Sequence, residues 1–186
     1  MKPIKTLLTI LFISLLSSYS WSVTMDDLVF RDGLYYEKFT DVPYTGEVTG
    51  RLQGVIKNGK EEGAWVWYYE SGELWKKLNV KNGSIEGAVV DYHKNGQLSY
   101  KGNYKNGKRV GEYIFYYENG QLQSKGNYKN GGREGAWVSY YEIGQLWNKG
   151  NYKNGKRDEV WVSYNKDGTV LKEWTGTFKD GVKISD

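Results

Sequence analysis

Residues 111–131 read GEYIFYYENGQLQSKGNYKNG, and this stretch decides the fold. Two turn signals punctuate it, Asn119-Gly120 and Asn130-Gly131. Asn-Gly flanked by β-forming residues is the strongest short-range hairpin signal, because both residues tolerate the positive φ that a tight turn needs. Gly111 to Tyr117 therefore reads as one strand and Gln121 to Lys129 as its return. The turn at Asn119-Gly120 leaves the register open. A two-residue loop and a three-residue bulged loop bring opposite faces together.

The same pattern recurs along the chain every 24 residues, as at Gly72, Gly96, Gly120, Gly144 and Gly168. Tyr68, Tyr92, Tyr116, Tyr140 and Tyr164 keep the spacing, as do Leu74, Leu98, Leu122 and Leu146, with Val170 next. The second turn returns as Asn58-Gly59, Asn82-Gly83, Asn106-Gly107 and Asn154-Gly155, and later as Asp180-Gly181. Self-similarity at such a period marks a repeat architecture. The expected fold is all-β: one twisted, elongated antiparallel meander in which each strand pairs with its sequence neighbours. Two strands per repeat advance such a sheet by roughly 10 Å, so five repeats span on the order of 50 Å.

Slots that keep their character across repeats are expected to be scaffold. Val66, Val90, Ile114, Val138 and Val162, with the tyrosines two residues on, are expected to line the core face. Trp65, Val89, Tyr113, Trp137 and Trp161 form a third large apolar series. Gly102, Gly126 and Gly150 recur on the return strand, where a glycine lets a neighbouring ring lie flat over the backbone.

Other slots change character. Trp67 and Phe115 correspond to Asp91, Ser139 and Ser163, and Trp75 and Trp147 correspond to Ser99 and Gln123. A core slot should not tolerate that swing, so Trp67, Trp75, Phe115 and Trp147 are the candidate partner-binding residues, suited to a protein hot spot or to sugar-ring stacking. Lys77, Lys101, Lys125 and Lys149 form one ladder, and Lys57, Lys81, Lys105, Lys129 and Lys153 another. Glu62, Glu86, Glu134 and Asp158 face the second ladder across the Asn-Gly turn. Cross-strand pairing is the plainer expectation, a basic stripe for an anionic partner the sharper one.

The ends depart from the period. Lys2 and Lys5 precede an apolar run from Leu7 to Leu16, followed by Ser18, Ser20 and Ser22. This order is that of a signal peptide, cut after Ser20 or Ser22, with a run too short to span a bilayer comfortably. Its removal takes the formal charge from +4 to +2. The expected organisation is a signal peptide at 1–22, an N-terminal cap at 23–57, five repeats at 58–181 and a tail at 182–186. Asp32-Gly33 and Thr45-Gly46 suggest hairpins in the cap, and both ends are expected to cover open sheet edges.

Catalytic chemistry is not expected. The chain has no cysteine, which excludes disulfides, thiolate metal sites, thiol nucleophiles and a lipoprotein anchor. Its one histidine, His93, occupies a slot filled elsewhere by Tyr69, Tyr117 and Tyr141, and reads as a substituted strand residue. The glycines are turn elements, with no phosphate-binding pattern after a strand. No cofactor or metal is expected, and near-neutral charge with export disfavours nucleic acid.

YYENGQL at 116–122, SKGNYKNG at 124–131 and REGAWVSYY at 133–141 resemble the bacterial variant of the MORN repeat, found in proteins labelled YwqK-type antitoxins. DGLYYEKFTDVPYTGEVTG at 32–50 resembles the lead-in of that family. The resemblance implies a ribbon of β-hairpins that acts as an interaction or membrane-associating module, and an antitoxin that neutralises a toxin by binding it. Two residues depart from the pattern: Glu159 where glycine is expected, and Ile143 where Asn119 suggests asparagine. The expected function is an exported, non-enzymatic scaffold that binds a protein partner. The alternative is association with envelope lipid or polysaccharide.

Overall fold

The computed structural model describes residues 22–186, so the expected signal segment lies outside the described residues except for Ser22. A small hairpin comes first, β1 (Leu28–Arg31) and β2 (Leu34–Glu37). The main sheet then runs through β3 (Gly46–Val48), β4 (Leu52–Lys57), β5 (Lys60–Tyr68), β6 (Leu74–Lys81), β7 (Ser84–Tyr92) and β8 (Leu98–Lys105). It continues with β9 (Lys108–Tyr116), β10 (Leu122–Lys129), β11 (Gly132–Tyr140), β12 (Leu146–Lys153), β13 (Lys156–Ser163), β14 (Gly176–Lys179) and β15 (Val182–Ser185). These strands form a 13-stranded sheet in strict sequence order, the meander that the turn spacing predicts.

Two kinds of turn alternate. At Asn58-Gly59 and its four 24-residue equivalents both residues have positive φ, for example 51° and 70° at Asn106-Gly107, the mirror-image turn suited to twisted strands. At the other end of each hairpin the loop holds three residues. Tyr117 donates its N–H to the Gln121 carbonyl at 2.9 Å, and Gly120 at φ 80° closes the loop. Glu118-Asn119-Gly120 is thus the longer of the two loops that the sequence left open.

A bulge inside every long strand sets the faces. Between Lys101 and Asn103, β8 spends one residue, Gly102; opposite, β9 spends three, Gly111 to Tyr113, between Val110 and Ile114. The extra length needs a left-handed residue, supplied by Gly63, Gly87, Gly111 and Gly135 at φ 70–83°. It swings the next ring across the neighbouring strand. A Cβ on Gly54, Gly102, Gly126 or Gly150 would meet Trp65, Tyr113, Trp137 or Trp161 at 2.3–2.4 Å. The ring-over-glycine expectation holds, and Gly54 extends it.

The core face differs from the expected one. Trp65, Val89, Tyr113, Trp137 and Trp161 are 0–4% exposed, whereas Val66, Val90, Ile114, Val138 and Val162 lie half-buried on the opposite face. The reason is the bulge, which puts the large ring over its neighbour's glycine and leaves the β-branched slot pointing away. Tyr128 and Tyr152 stand edge-on between these rings, at 4.8 Å and 5.4 Å from Tyr113 and Trp137, and at 5.9 Å and 4.9 Å from Trp137 and Trp161. Edge-to-face pairs add about 0.5–1.5 kcal/mol beyond their burial.

The ends also revise expectation. Asp32-Gly33 is a turn, but Gly46 opens β3 and the turn falls at Gly50, φ 91°. The edge strands are short, at 3 and 4 residues, and the N-terminal segment covers part of the β3 edge, where Thr24 bridges Thr49 and Thr49 donates its N–H to the Val23 carbonyl at 2.8 Å. Short edges limit strand-to-strand association.

In the fifth unit the bulge position holds Glu159, at φ 58°. A side chain there costs about 1–2 kcal/mol. Glu159→Gly is expected to raise stability by about 1 kcal/mol, a rise of a few degrees in Tm by circular dichroism. A fall would mean that the 2.7 Å bond from Asn151 Nδ2 to the Glu159 carboxylate outweighs the backbone strain.

Candidate interaction site

The four candidate aromatics fall into two classes. Trp75 and Trp147 are 40% and 43% exposed, each at a bulge. Trp67 stands opposite Lys76 and Tyr68 opposite Leu74, so Trp75 is the extra residue; Trp147 is extra in the same way. An extra residue escapes the ladder, which is why this slot accepts Trp, Ser or Gln. Each tryptophan leans on a tyrosine of the same hairpin, Trp75 on Tyr69 at 5.8 Å and Trp147 on Tyr141 at 5.9 Å. A lysine of the next repeat lies over each tyrosine, Lys94 at 5.8 Å and Lys166 at 5.9 Å. Two copies of one half-exposed aromatic cluster therefore stand six strands apart, roughly 30 Å along the sheet.

Trp67 and Phe115 are not in that class. They pack against the core, Trp67 at 6.0 Å from Trp65 and Phe115 at 5.6 Å from Tyr100 and 6.1 Å from Tyr113. The core tolerates the swing at this slot because the neighbours change with it. Where Asp91 stands, Lys76 reaches its carboxylate at 3.2 Å. Where Ser163 stands, its hydroxyl donates to the Trp174 carbonyl and its N–H to Thr175 Oγ1, so the C-terminal segment closes the gap. Burial pushes the Asp91 carboxyl up, and Lys76 opposes this only in part.

Sequence reasoning missed an arginine series. Arg109, Arg133 and Arg157 lie between rings: Arg109 over Tyr113 and Tyr128, Arg133 over Trp137 and Tyr152, Arg157 over Trp161, Trp174 and Phe178, all at 4.5–5.5 Å. Arg109 also donates to the Tyr128 hydroxyl at 3.1 Å and Arg133 to that of Tyr152 at 2.9 Å. Arg157 Nη1 is buried without a hydrogen-bond partner, enclosed by its rings. The slot begins as Glu61 and Ile85, so its period is hidden until the third unit.

Around Trp147 these groups frame a groove of about 350 Å³ that includes Arg133, Tyr152, Arg157 and Gln123. A smaller apolar slot of about 240 Å³ continues from it between Trp147, Leu171 and the 51%-exposed Trp174. The arrangement offers flat rings, guanidinium edges and amides, which is the chemistry of recognition surfaces.

His93 has a structural task. Tyr69, Tyr117 and Tyr141 each donate a hydroxyl to the carbonyl of the residue 23 positions on, at 2.8–2.9 Å. The His93 Nε2 makes the same contact to Tyr116 at 2.9 Å, which requires its N–H there. These contacts strap each repeat to the next.

The lysine ladders are unpaired. Among the described residues the ion pairs are Arg31–Asp41, Arg51–Glu70, Lys76–Asp91 and Lys183–Asp186, and neither ladder enters one. The acids expected to face them cap the turns instead: Glu62, Glu86 and Glu134 accept the backbone N–H of Asn82, Asn106 and Asn154 at 2.7–2.9 Å.

Residues 61–82, 85–106, 109–130 and 133–154 match the family model described as the MORN repeat variant. No curated protein matches the chain. Among solved structures, the chain is similar to one described as the crystal structure of a GtfA/B complex bound to UDP and GlcNAc. The identity is 16% and the TM-score 0.19, over 78% of this chain and 26% of that one. The chain thus spans about a quarter of that protein's length, and at so low a TM-score neither fold nor function is read from the likeness.

Proposed function

Since this chain carries four tandem units of the MORN repeat variant, a repeat scaffold, we propose that it is an exported, non-enzymatic module that captures a protein partner, in the manner of an antitoxin or immunity factor. The observation that carries this reading is the pair of matched clusters, Tyr69–Trp75 and Tyr141–Trp147, each half-exposed on a rigid sheet. Exposed tryptophan is the residue type most enriched at binding hot spots, and a rigid platform adds little ordering cost on association. Two such clusters separated by a rigid spacer favour a partner large enough to reach both. Export is supported by Lys2, Lys5 and the apolar run after them. It points to a partner in the periplasm or outside the cell. YwqK-type kinship rests on the repeat motifs alone.

The test begins with the tagged chain in its own host and the protein that co-purifies in stoichiometric amount. Trp75→Ala with Trp147→Ala is then expected to weaken that complex by two to three orders of magnitude, at about 2 kcal/mol for each anchor. Tm should hold within a degree or two, since both rings lie largely outside the core. Undiminished affinity would remove the aromatic clusters as the binding surface. N-terminal sequencing of the same material checks export, with cleavage expected after Ser20 or Ser22.

A further inference from the structure

The face opposite the aromatic rings carries a second regularity. Lys77 stands directly between Val66 and Val90 of the flanking strands, and Lys149 between Val138 and Val162. Lys101 and Lys125 hold the same place around Ile114. One cross-strand row therefore alternates a lysine with a β-branched residue, so a cation recurs at every second strand, roughly 10 Å apart. All four lysines are exposed, and among the described residues none is in an ion pair.

Two residues along each return strand lies a row of asparagines. Asn79, Asn103 and Asn151 stand opposite Ala64, Ala88 and Ala136. Asn127 stands opposite Glu112, the one carboxylate in the alanine slot, and the Asn151 amide donates to the Glu159 carboxylate at 2.7 Å. Over the third to fifth units this face is hollowed into an open trough of about 470 Å³, with Ala136, Val138 and Val162 in its floor and Lys125, Lys149, Asn127 and Asn151 along it.

We propose that this trough is a track for a linear acidic polysaccharide bearing one carboxylate per disaccharide. The period carries the argument. Each repeat places one lysine, one asparagine and a β-branched residue on this face, with Glu112 replacing the alanine in the third unit, and a disaccharide of an extended glycan presents one acid, several hydroxyls and a C–H face over a closely similar length. The lysine holds the acid, the asparagine the hydroxyls, and Ala and Val take the C–H face. A nucleic acid duplex fits less well, since along its axis the phosphates of each strand recur about every 3.4 Å and one cation per 10 Å would meet only about a third of them. A bilayer surface would not descend into a trough. The track lies on the face opposite the core rings and uses neither Trp75 nor Trp147, so it stands independently of partner capture.

The probe is hyaluronan octasaccharide, titrated calorimetrically into the purified chain at low ionic strength. Binding is expected, weaker for the tetrasaccharide and weaker again as salt rises. Lys125→Ala with Lys149→Ala should lower affinity roughly tenfold, at about threefold for each exposed charge contact. Glu112→Ala should raise affinity about threefold by removing the opposing charge from the track, a gain that damage to the fold would not produce. Trp75→Ala with Trp147→Ala should leave glycan affinity unchanged. No binding, indifference to the lysine pair, or no gain from Glu112→Ala would overturn the proposal. So would equal or tighter binding of polyphosphate, a single-stranded oligonucleotide or phosphatidylglycerol vesicles.

Discussion

Gly126→Leu is expected to cost about 3 kcal/mol, near the top of the range for overpacking a filled site, and to lower Tm by roughly 10 °C. A Cβ at this position would sit 2.4 Å from the Trp137 ring, and further carbons would have to displace it. The ring has little room to move, because Tyr128 and Tyr152 stand edge-on to it at 5.4 Å and 5.9 Å and Arg133 lies over it at 4.5 Å. The chain contains its own compensated version of this exchange. In the slot of Gly126 the first unit has Leu78, and across from it, in the second unit, the ring is replaced by Val89; both are buried. Trp137→Val added to Gly126→Leu should therefore cost at least 2 kcal/mol less than the sum of the two single changes, a coupling size seen for residues in direct contact. Full recovery is not expected, since the double variant still lacks the indole N–H bond to the Asn127 carbonyl and the edge-to-face pairs. Denaturant melts of the four proteins in the cycle give the coupling. Simple additivity would show that ring and glycine are not energetically linked.

Trp161→Ala should cost about 4 kcal/mol, as for truncation of a large buried aromatic, but the loss should be local. Trp161 is 1% exposed, lies over Gly150, donates to the Asn151 carbonyl at 2.8 Å and is gripped by Arg157 and Tyr152. Arg157 also touches Trp174 and Phe178, so removing the indole loosens the contacts that hold β14 and β15. In a repeat array each unit meets only its neighbours, and stability is close to a sum of units and interfaces. Amide exchange in β12 to β15 is expected to accelerate by two orders of magnitude or more while β5 to β8 keep their protection. Uniform acceleration across all strands would instead show that the 13-stranded sheet unfolds as one cooperative body.

Much of the architecture was legible in the residues. The 24-residue period, the Asn-Gly turns and the alternation of strand and return predicted the meander, and the recurrent glycines predicted rings lying over them. These features are local, carried by residues adjacent in sequence whose preferred backbone geometry survives in any context. The core face was not legible, because it depends on the phase between two turns and on a bulge that adds two residues to one strand but not to its partner. Trp67 and Phe115 were misplaced for a related reason. The swing from Trp to Asp or Ser suggested a surface slot, but Lys76 fills in at Asp91, and Trp174 and Thr175 fill in at Ser163.

Local residue chemistry is enough to specify an all-β repeat array, its turn chemistry, its strand order and the residues that must be small. Those properties follow from positive φ at Asn and Gly and from strict periodicity, which need no knowledge of what lies across the sheet. Which face buries the rings, which tryptophans remain exposed and how arginine is held between aromatic rings emerge only from contacts across the sheet. The same holds for the lysine row, none of whose members enters an ion pair among the described residues. Each of these depends on contacts between residues on different strands, ten to twenty or more positions apart, whose register is set by bulges and loop lengths.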